Sequence, residues 1–133
     1  MVAGINAAAE ITTWDQLYNA MQAGGNITLT QDIYYSGTKK GIIIPNGKTV
    51  VLDLNGYGLY RGLAESSAEK DGYVIKVEKG AKLTIKDSSK SPEYPYGKGF
   101  IQGGNSIEPC GGGVYVNGGG SLVFEGGQIR NNK

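Results

Sequence analysis

At 133 residues, with 13 Lys+Arg against 12 Asp+Glu and no histidine, the chain is one domain of nearly balanced charge. That balance, with Arg61 and Arg130 the only arginines, excludes the basic footprint of a nucleic-acid binder. The missing histidines exclude Ser-His-Asp and Cys-His chemistry, and the lone Cys110 excludes an intramolecular disulfide framework and nearly excludes an ordinary zinc site.

The stretch through Glu10 is small and mixed. Met1-Val2-Ala3-Gly4-Ile5 has no basic or apolar signal region, so the chain is expected to be an intracellular product or a mature segment behind an added methionine. One helix follows, within residues 12–25. Thr13 and Gln16 form a capping box, Trp14, Leu17, Tyr18 and Met21 make one apolar stripe, and Gly24-Gly25 stops the helix in a left-handed C-cap. Residues 26–133 then alternate with period two. Asn26 to Ile33 reads as one strand, with Ile27, Leu29 and Ile33 inward.

A cassette hinged on a glycine comes next, three times over. Around Gly47 lie Ile42, Ile44, Val50 and Leu52; around Gly80, Ile75, Val77, Leu83 and Ile85; around Gly119, Val114, Val116, Leu122 and Phe124. Each set sits five and three positions before the glycine and three and five after it, which is two short strands burying one face. A third strand follows each: Gly58 to Arg61, Phe100 to Gln102, and Gln128 to Arg130, the last contributing Ile129 to the core. Polar loops at 64–71 and 88–99 absorb the unequal intervals between hinges. Strand, turn, strand, corner, strand, repeated, predicts an all-β solenoid of about three to four stacked coils with a short N-terminal capping helix. No run is long and apolar enough for a membrane helix, and the 23 glycines fall at strand corners.

Six positions after each hinge lie Asp53, Lys86 and Glu125, read as an outward acid–base–acid ladder of cross-strand ion pairs on a solvated face. Calcium-dependent lyase chemistry would need clustered carboxylates beside a base, and no neighbouring column supplies them; no cofactor is expected. Nine tyrosines form the notable surplus. Tyr115 is expected outward beside Lys76 and Ile43, Tyr60 outward with Gln102 and Arg130, and Tyr94 and Tyr96 on the longer loop; these four are the candidate ligand or partner contacts. Cys110 reads as an unpaired turn cysteine.

Trp14-x-x-Leu17 followed by Gly25-Asn26-Ile27-Thr28-Leu29-Thr30-Gln31-Asp32-Ile33 resembles the N-terminal cap and first coil of right-handed parallel β-helices of the pectin-lyase-like superfamily, so the solenoid is expected to be a right-handed parallel β-helix. Leu52-Asp53-Leu54-Asn55-Gly56, Gly111 to Val116 and Phe124 to Asn132 are similar to repeats of bacterial adhesin-like surface proteins of that superfamily. The resemblance implies an extracellular or cell-surface setting. It is poor for activity, since the scaffold hosts lyases, hydrolases, tailspikes and binding proteins; the Gly-His-Gly of polygalacturonase-like members is missing. The expected function is a non-enzymatic structural or adhesion module. Its uncapped last coil (Val114, Val116, Leu122, Phe124 and Ile129) would stack on another copy or on further coils of a parent protein. Two classes stay open beside it: a polysaccharide-binding or lyase-like protein, and a phage or virion fibre component.

Overall fold

The computed structural model describes residues 10–63, 66, 68–107 and 111–133. Cys110 and part of the 64–71 insertion lie outside the described residues. Among the described residues the architecture is mainly β: one helix, then eleven short strands in three parallel sheets.

Helix α1 (Trp14–Ala23) starts where the sequence places it. The Thr13 hydroxyl accepts the Gln16 N–H at 3.2 Å, and the Gln16 side-chain Oε1 accepts the Thr13 N–H at 3.2 Å, satisfying two backbone donors reciprocally. Trp14, Leu17 and Met21 are buried, while Tyr18 is half-buried. The stop differs from the expected one. Gly24, at φ 82° and ψ 174°, keeps a positive φ but lies outside the left-handed helical region, although its N–H still bonds the Ala20 carbonyl at 3.1 Å. The chain must leave the helix straight into β1 (Gly25–Thr28), and only glycine reaches that backbone region without strain.

A second correction follows at once. The single strand expected over Asn26 to Ile33 is two, β1 and β2 (Ile33–Tyr34), in different sheets. The bend between them spares the inward alternation: Ile27, Leu29 and Ile33 are all buried.

From there the chain visits the three sheets in rotation. β3 (Ile42–Ile44), β4 (Thr49–Asp53) and β5 (Gly58–Tyr60) make one circuit; β6 (Ile75–Val77), β7 (Lys82–Lys86) and β8 (Phe100–Gln102) the next; β9 (Val114–Val116), β10 (Ser121–Phe124) and β11 (Gln128–Ile129) the last. Each strand pairs in parallel with the strand three places on, giving sheets β1-β4-β7-β10, β2-β5-β8-β11 and β3-β6-β9. The register matches the cassette alignment: Ile42, Ile75 and Val114 lie side by side, as do Leu52, Ile85 and Phe124.

The hinge glycines stack as well. Gly47 N–H bonds the Gly80 carbonyl at 3.1 Å, and Gly80 N–H bonds the Gly119 carbonyl at 2.9 Å, with φ of 83°, 78° and 88° along the column. Any side chain there would be held in a strained backbone conformation.

The core lies between the sheets and thins toward the last circuit. All eight inward residues of the first two cassettes are buried; in the third, Val114, Val116 and Leu122 are half-buried and Phe124 is 48% exposed. A fully buried aliphatic side chain stabilises by about 1.5–3 kcal/mol, so the earlier circuits carry most of the hydrophobic stabilisation. At the other end α1 packs on β3 and β1, the Gln22 amide donates to the Ile43 carbonyl at 2.7 Å, and the Trp14 indole donates to the Lys40 carbonyl at 2.9 Å.

Candidate functional site

The corner after β4 and β7 shows what the acidic residues do. Asp53 and Lys86 are register partners, but they form no ion pair: Asp53 is buried, and one carboxylate oxygen accepts the N–H groups of Asn55 and Ser88, each at 2.9 Å. The expected outward ladder is therefore replaced by a corner clamp, because a carboxylate ending a strand finds backbone donors closer than a lysine on the neighbouring strand.

One position on, Asp87 stands where the preceding circuit has the buried Leu54. Its Oδ1 accepts from Gly56 N at 3.1 Å, Ser89 N at 2.8 Å and Ser89 Oγ at 2.6 Å; its Oδ2 accepts from Gly99 N at 2.6 Å. Four donors around one buried carboxylate fasten both ends of the 88–99 insertion to the circuit below. These acids build corners. Among the described residues no group of three or more His, Cys, Asp or Glu could hold a metal ion.

Arg61 is the buried cation. Its guanidinium lies 4.1 Å from the Tyr35 ring and 3.8 Å from the Glu69 carboxylate, and its Nε and Nη2 have no hydrogen bond among the described residues. It ties the insertion carrying Glu69 to the core.

Two sheet surfaces carry outward tyrosines. On the sheet β2-β5-β8-β11, Tyr34 and Tyr60 are register partners with rings stacked 4.4 Å apart, and Tyr60 meets Phe100 edge-on at 5.1 Å. Phe100 lies over Gly58, filling space a side chain there would need. Arg130 covers the other side of Phe100 at 3.8 Å, held flat by Gln102 and Gln128 at 3.2 Å each. Burial, then the Asp32 carboxylate and Tyr34, push the Tyr60 hydroxyl above the usual tyrosine value of 10.0, against the pull of Arg130.

Tyr34, 59% exposed, is the outermost ring of this strip and was not among the expected contacts. The signal was there in the inward–outward pairs Ile33-Tyr34, Leu59-Tyr60, Ile101-Gln102 and Ile129-Arg130, once the bend before Ile33 is recognised.

On the sheet β3-β6-β9, Tyr115 lies beside Lys76 and Ile43 as expected. It is half-buried, its hydroxyl donates to Asn117 Oδ1 at 3.4 Å, and the Lys76 ammonium, 5.8 Å from its ring, pairs with Glu78 at 3.5 Å. A cavity of about 480 Å³ next to this row is lined by Tyr18 and Gln22 of α1 and by Ile43, Pro45, Asn46, Glu78, Lys79 and Asn117. Tyr94 and Tyr96 project from the 88–99 insertion, and Tyr96 is 69% exposed. The four expected tyrosines do not converge on one site.

What converges is the last circuit. Asn117 N, Ser121 N, Glu125 N and Arg130 N bond back to Val77, Ala81, Ile85 and Ile101 carbonyls, at 2.8 to 3.0 Å. Alternate residues of a parallel strand bond opposite neighbours. The backbone groups of Val114, Val116, Leu122, Phe124 and Ile129 therefore point off the free edge, and these same five side chains carry the inward columns.

The end is not wholly bare. The 88–99 insertion climbs one circuit, where Lys90 donates to the Glu125 carbonyl at 3.1 Å and Gly127 donates to the Tyr96 carbonyl at 2.5 Å, and Lys133 folds back to donate to Gly104 at 2.9 Å. These contacts dress two corners; among the described residues no strand pairs with the outer edges of β9, β10 and β11. In comparisons with known proteins, no family model, no curated protein and no solved structure matches the chain.

Proposed function

We propose that this protein is a non-enzymatic scaffold and interaction module: a right-handed parallel β-helix, resembling the pectin-lyase-like superfamily and its adhesin-like surface proteins, that docks through its last circuit. Three strands per circuit, parallel pairing and stacked inward columns support the closed helical reading. Its right hand follows from the near-universal hand of parallel crossovers. Cell-surface or extracellular work fits the resemblance, and a chain without histidine fits a role without acid–base catalysis.

The observation that carries docking is the asymmetry of the two ends. Helix α1 covers the first, while the last presents three parallel edges that no strand among the described residues pairs with, and Phe124 and Ile129 are exposed beside them. Unpaired edges over an apolar interior are a template for further strands. Light scattering across a concentration series tests this. Self-association is expected, and Phe124→Glu is expected to abolish it while circular dichroism stays unchanged. A wild-type chain that remains strictly monomeric at high concentration sinks the reading.

The Tyr34–Tyr60–Phe100 strip favours a second function, since the exposed Tyr34 ring, stacked on half-buried Tyr60 and Phe100 and flanked by Arg130 and glutamines, suits the apolar faces and hydroxyls of a polysaccharide. A glycan array with wild type and Tyr34→Ala checks it: binding is expected to fall about tenfold on losing the outer ring, in line with the roughly 1.4 kcal/mol that a tenfold change represents. No glycan bound by the wild type ends this reading.

A further inference from the structure

We infer that Asn117 is a self-modification site: in the folded chain its side-chain amide reacts with the backbone nitrogen of Gly118, and the product loosens the third hinge. Three Asn-Gly pairs occur in the sequence, Asn46-Gly47, Asn55-Gly56 and Asn117-Gly118, and each stands at a corner between strands. A glycine after asparagine has no Cβ to shield its nitrogen, so the sequence alone ranks the three alike.

The fold separates them by what holds that nitrogen. Gly47 N–H donates to the Gly80 carbonyl at 3.1 Å, within the hinge column. Gly56 N–H donates to the buried Asp87 carboxylate at 3.1 Å, and the Asn55 side chain is itself bonded to Leu29 and Ser88. Gly118 N–H instead lies against the side chain it would attack, 3.0 Å from Asn117 Oδ1, and Gly118 is exposed. No other segment among the described residues bonds it. The Tyr115 hydroxyl reaches the same oxygen at 3.4 Å, where negative charge develops as the ring closes.

The glycine itself points the same way. Gly47 and Gly56 have φ of 83° and 85°, so their turns call for glycine whatever the chemistry. Gly118 has no such φ, and a Cβ placed there meets nothing within 4 Å. The turn does not need glycine at 118; ring closure favours it, because a side chain there crowds the attacking nitrogen.

In the reaction the Gly118 nitrogen gives its proton to solvent and bonds to Asn117 Cγ. The Cγ–Nδ2 bond breaks, and Nδ2 takes up a proton and leaves as ammonia. Water then opens the resulting succinimide at either carbonyl, giving aspartate or, with the backbone rerouted through Cβ, isoaspartate. Either product replaces the Asn117 Nδ2 donor, now 3.1 Å from Glu78 Oε1, by a carboxylate. Lys76, paired with Glu78 at 3.5 Å, and Lys79, whose stem lies over Gly119, offset part of that repulsion. The larger effect is the longer isoaspartate backbone. It falls inside the turn that Gly120 N–H closes onto the Asn117 carbonyl at 2.8 Å, beside the 2.9 Å bond from Gly80 N–H to the Gly119 carbonyl.

The test is peptide mapping by mass spectrometry of the full chain aged at neutral pH, folded and in urea, with circular dichroism as the control for folding. In the folded chain Asn117 should convert about tenfold faster than Asn46 or Asn55. Gly118→Val should slow that conversion by about tenfold and leave the circular dichroism unchanged. In urea the three wild-type sites should converge to within about threefold, since the fold alone separates them. Hydrogen exchange on the converted chain should show the Gly80 and Gly120 amides less protected than before. Asn46 or Asn55 converting as fast as Asn117 in the folded chain overturns the site. So does an equal spread of rates in urea, or a folded Gly118→Val chain that converts at the wild-type rate. A converted chain whose Gly80 and Gly120 amides exchange as before overturns the loosening.

Discussion

Asp87→Ala is expected to destabilise the protein by on the order of 3 kcal/mol, among the largest single losses available in this fold. The carboxylate is buried and accepts four hydrogen bonds from Gly56, Ser89 and Gly99. Removing it strands donors in a place that holds Leu54 one circuit earlier. Each unsatisfied buried donor costs about 1–3 kcal/mol, and water entering the opened corner recovers part of that. Asp87→Asn keeps the shape but loses the charge and one acceptor, and should cost about half as much.

Urea unfolding gives the magnitudes, and hydrogen exchange gives the location. The Gly56 and Gly99 amides should lose protection first, followed by Gly127, which is bonded to the insertion that Asp87 holds down. Lys86→Ala, an exposed change one residue away, should be nearly silent. Equal losses at both positions would mean that the carboxylate is not the fastening point.

Along one inward column, the second prediction is a gradient. Val50, Leu83 and Leu122 are register partners in β4, β7 and β10, but only the first two are fully buried. Leu83→Ala should cost about 3 kcal/mol, the usual penalty for a core leucine with circuits packed on both sides. Leu122→Ala in the monomer should cost about 1 kcal/mol, because half of what surrounds Leu83 is missing around Leu122. Thermal unfolding at low and high protein concentration separates packing from association: the Leu122 penalty should grow where copies associate, while the Leu83 penalty should not. Equal penalties at every concentration would show that the last circuit is as well packed as the second.

Periodicity carried most of the pairing. Inward residues at fixed distances from Gly47, Gly80 and Gly119 give the registers of β3-β6-β9 and β4-β7-β10, since a slip by one residue would turn every Ile and Val outward. The break between β1 and β2 was illegible for the same reason. The bend at Thr30 to Asp32 leaves Ile33 in phase with Ile27 and Leu29, so alternation runs through the corner unchanged and Tyr34 goes unnoticed.

The acidic corners were misread in a different way. Period two says only that Asp53 points away from the column; it is silent on the corner one residue later, where free backbone N–H groups compete with Lys86 for the carboxylate. The climb of the 88–99 insertion onto the last circuit had no sequence signal either, because it depends on main-chain partners at Tyr96 and Gly127 that any residue could supply.

The stacked hinge glycines have a consequence for how such a chain can be edited. Gly47, Gly80 and Gly119 hydrogen-bond one above another, so each circuit is indexed at that corner, while the other two corners hold segments of unequal length. The unequal length falls at 64–71 and 88–99, and the second of these is tied down by the Asp87 clamp and the Gly127–Tyr96 bond. One residue gained or lost beside a hinge inverts the faces of the strand that follows. A whole circuit, copied or excised from hinge to hinge, leaves every remaining pairing in phase. Length in this architecture is thus a quantity that recombination can change in whole steps.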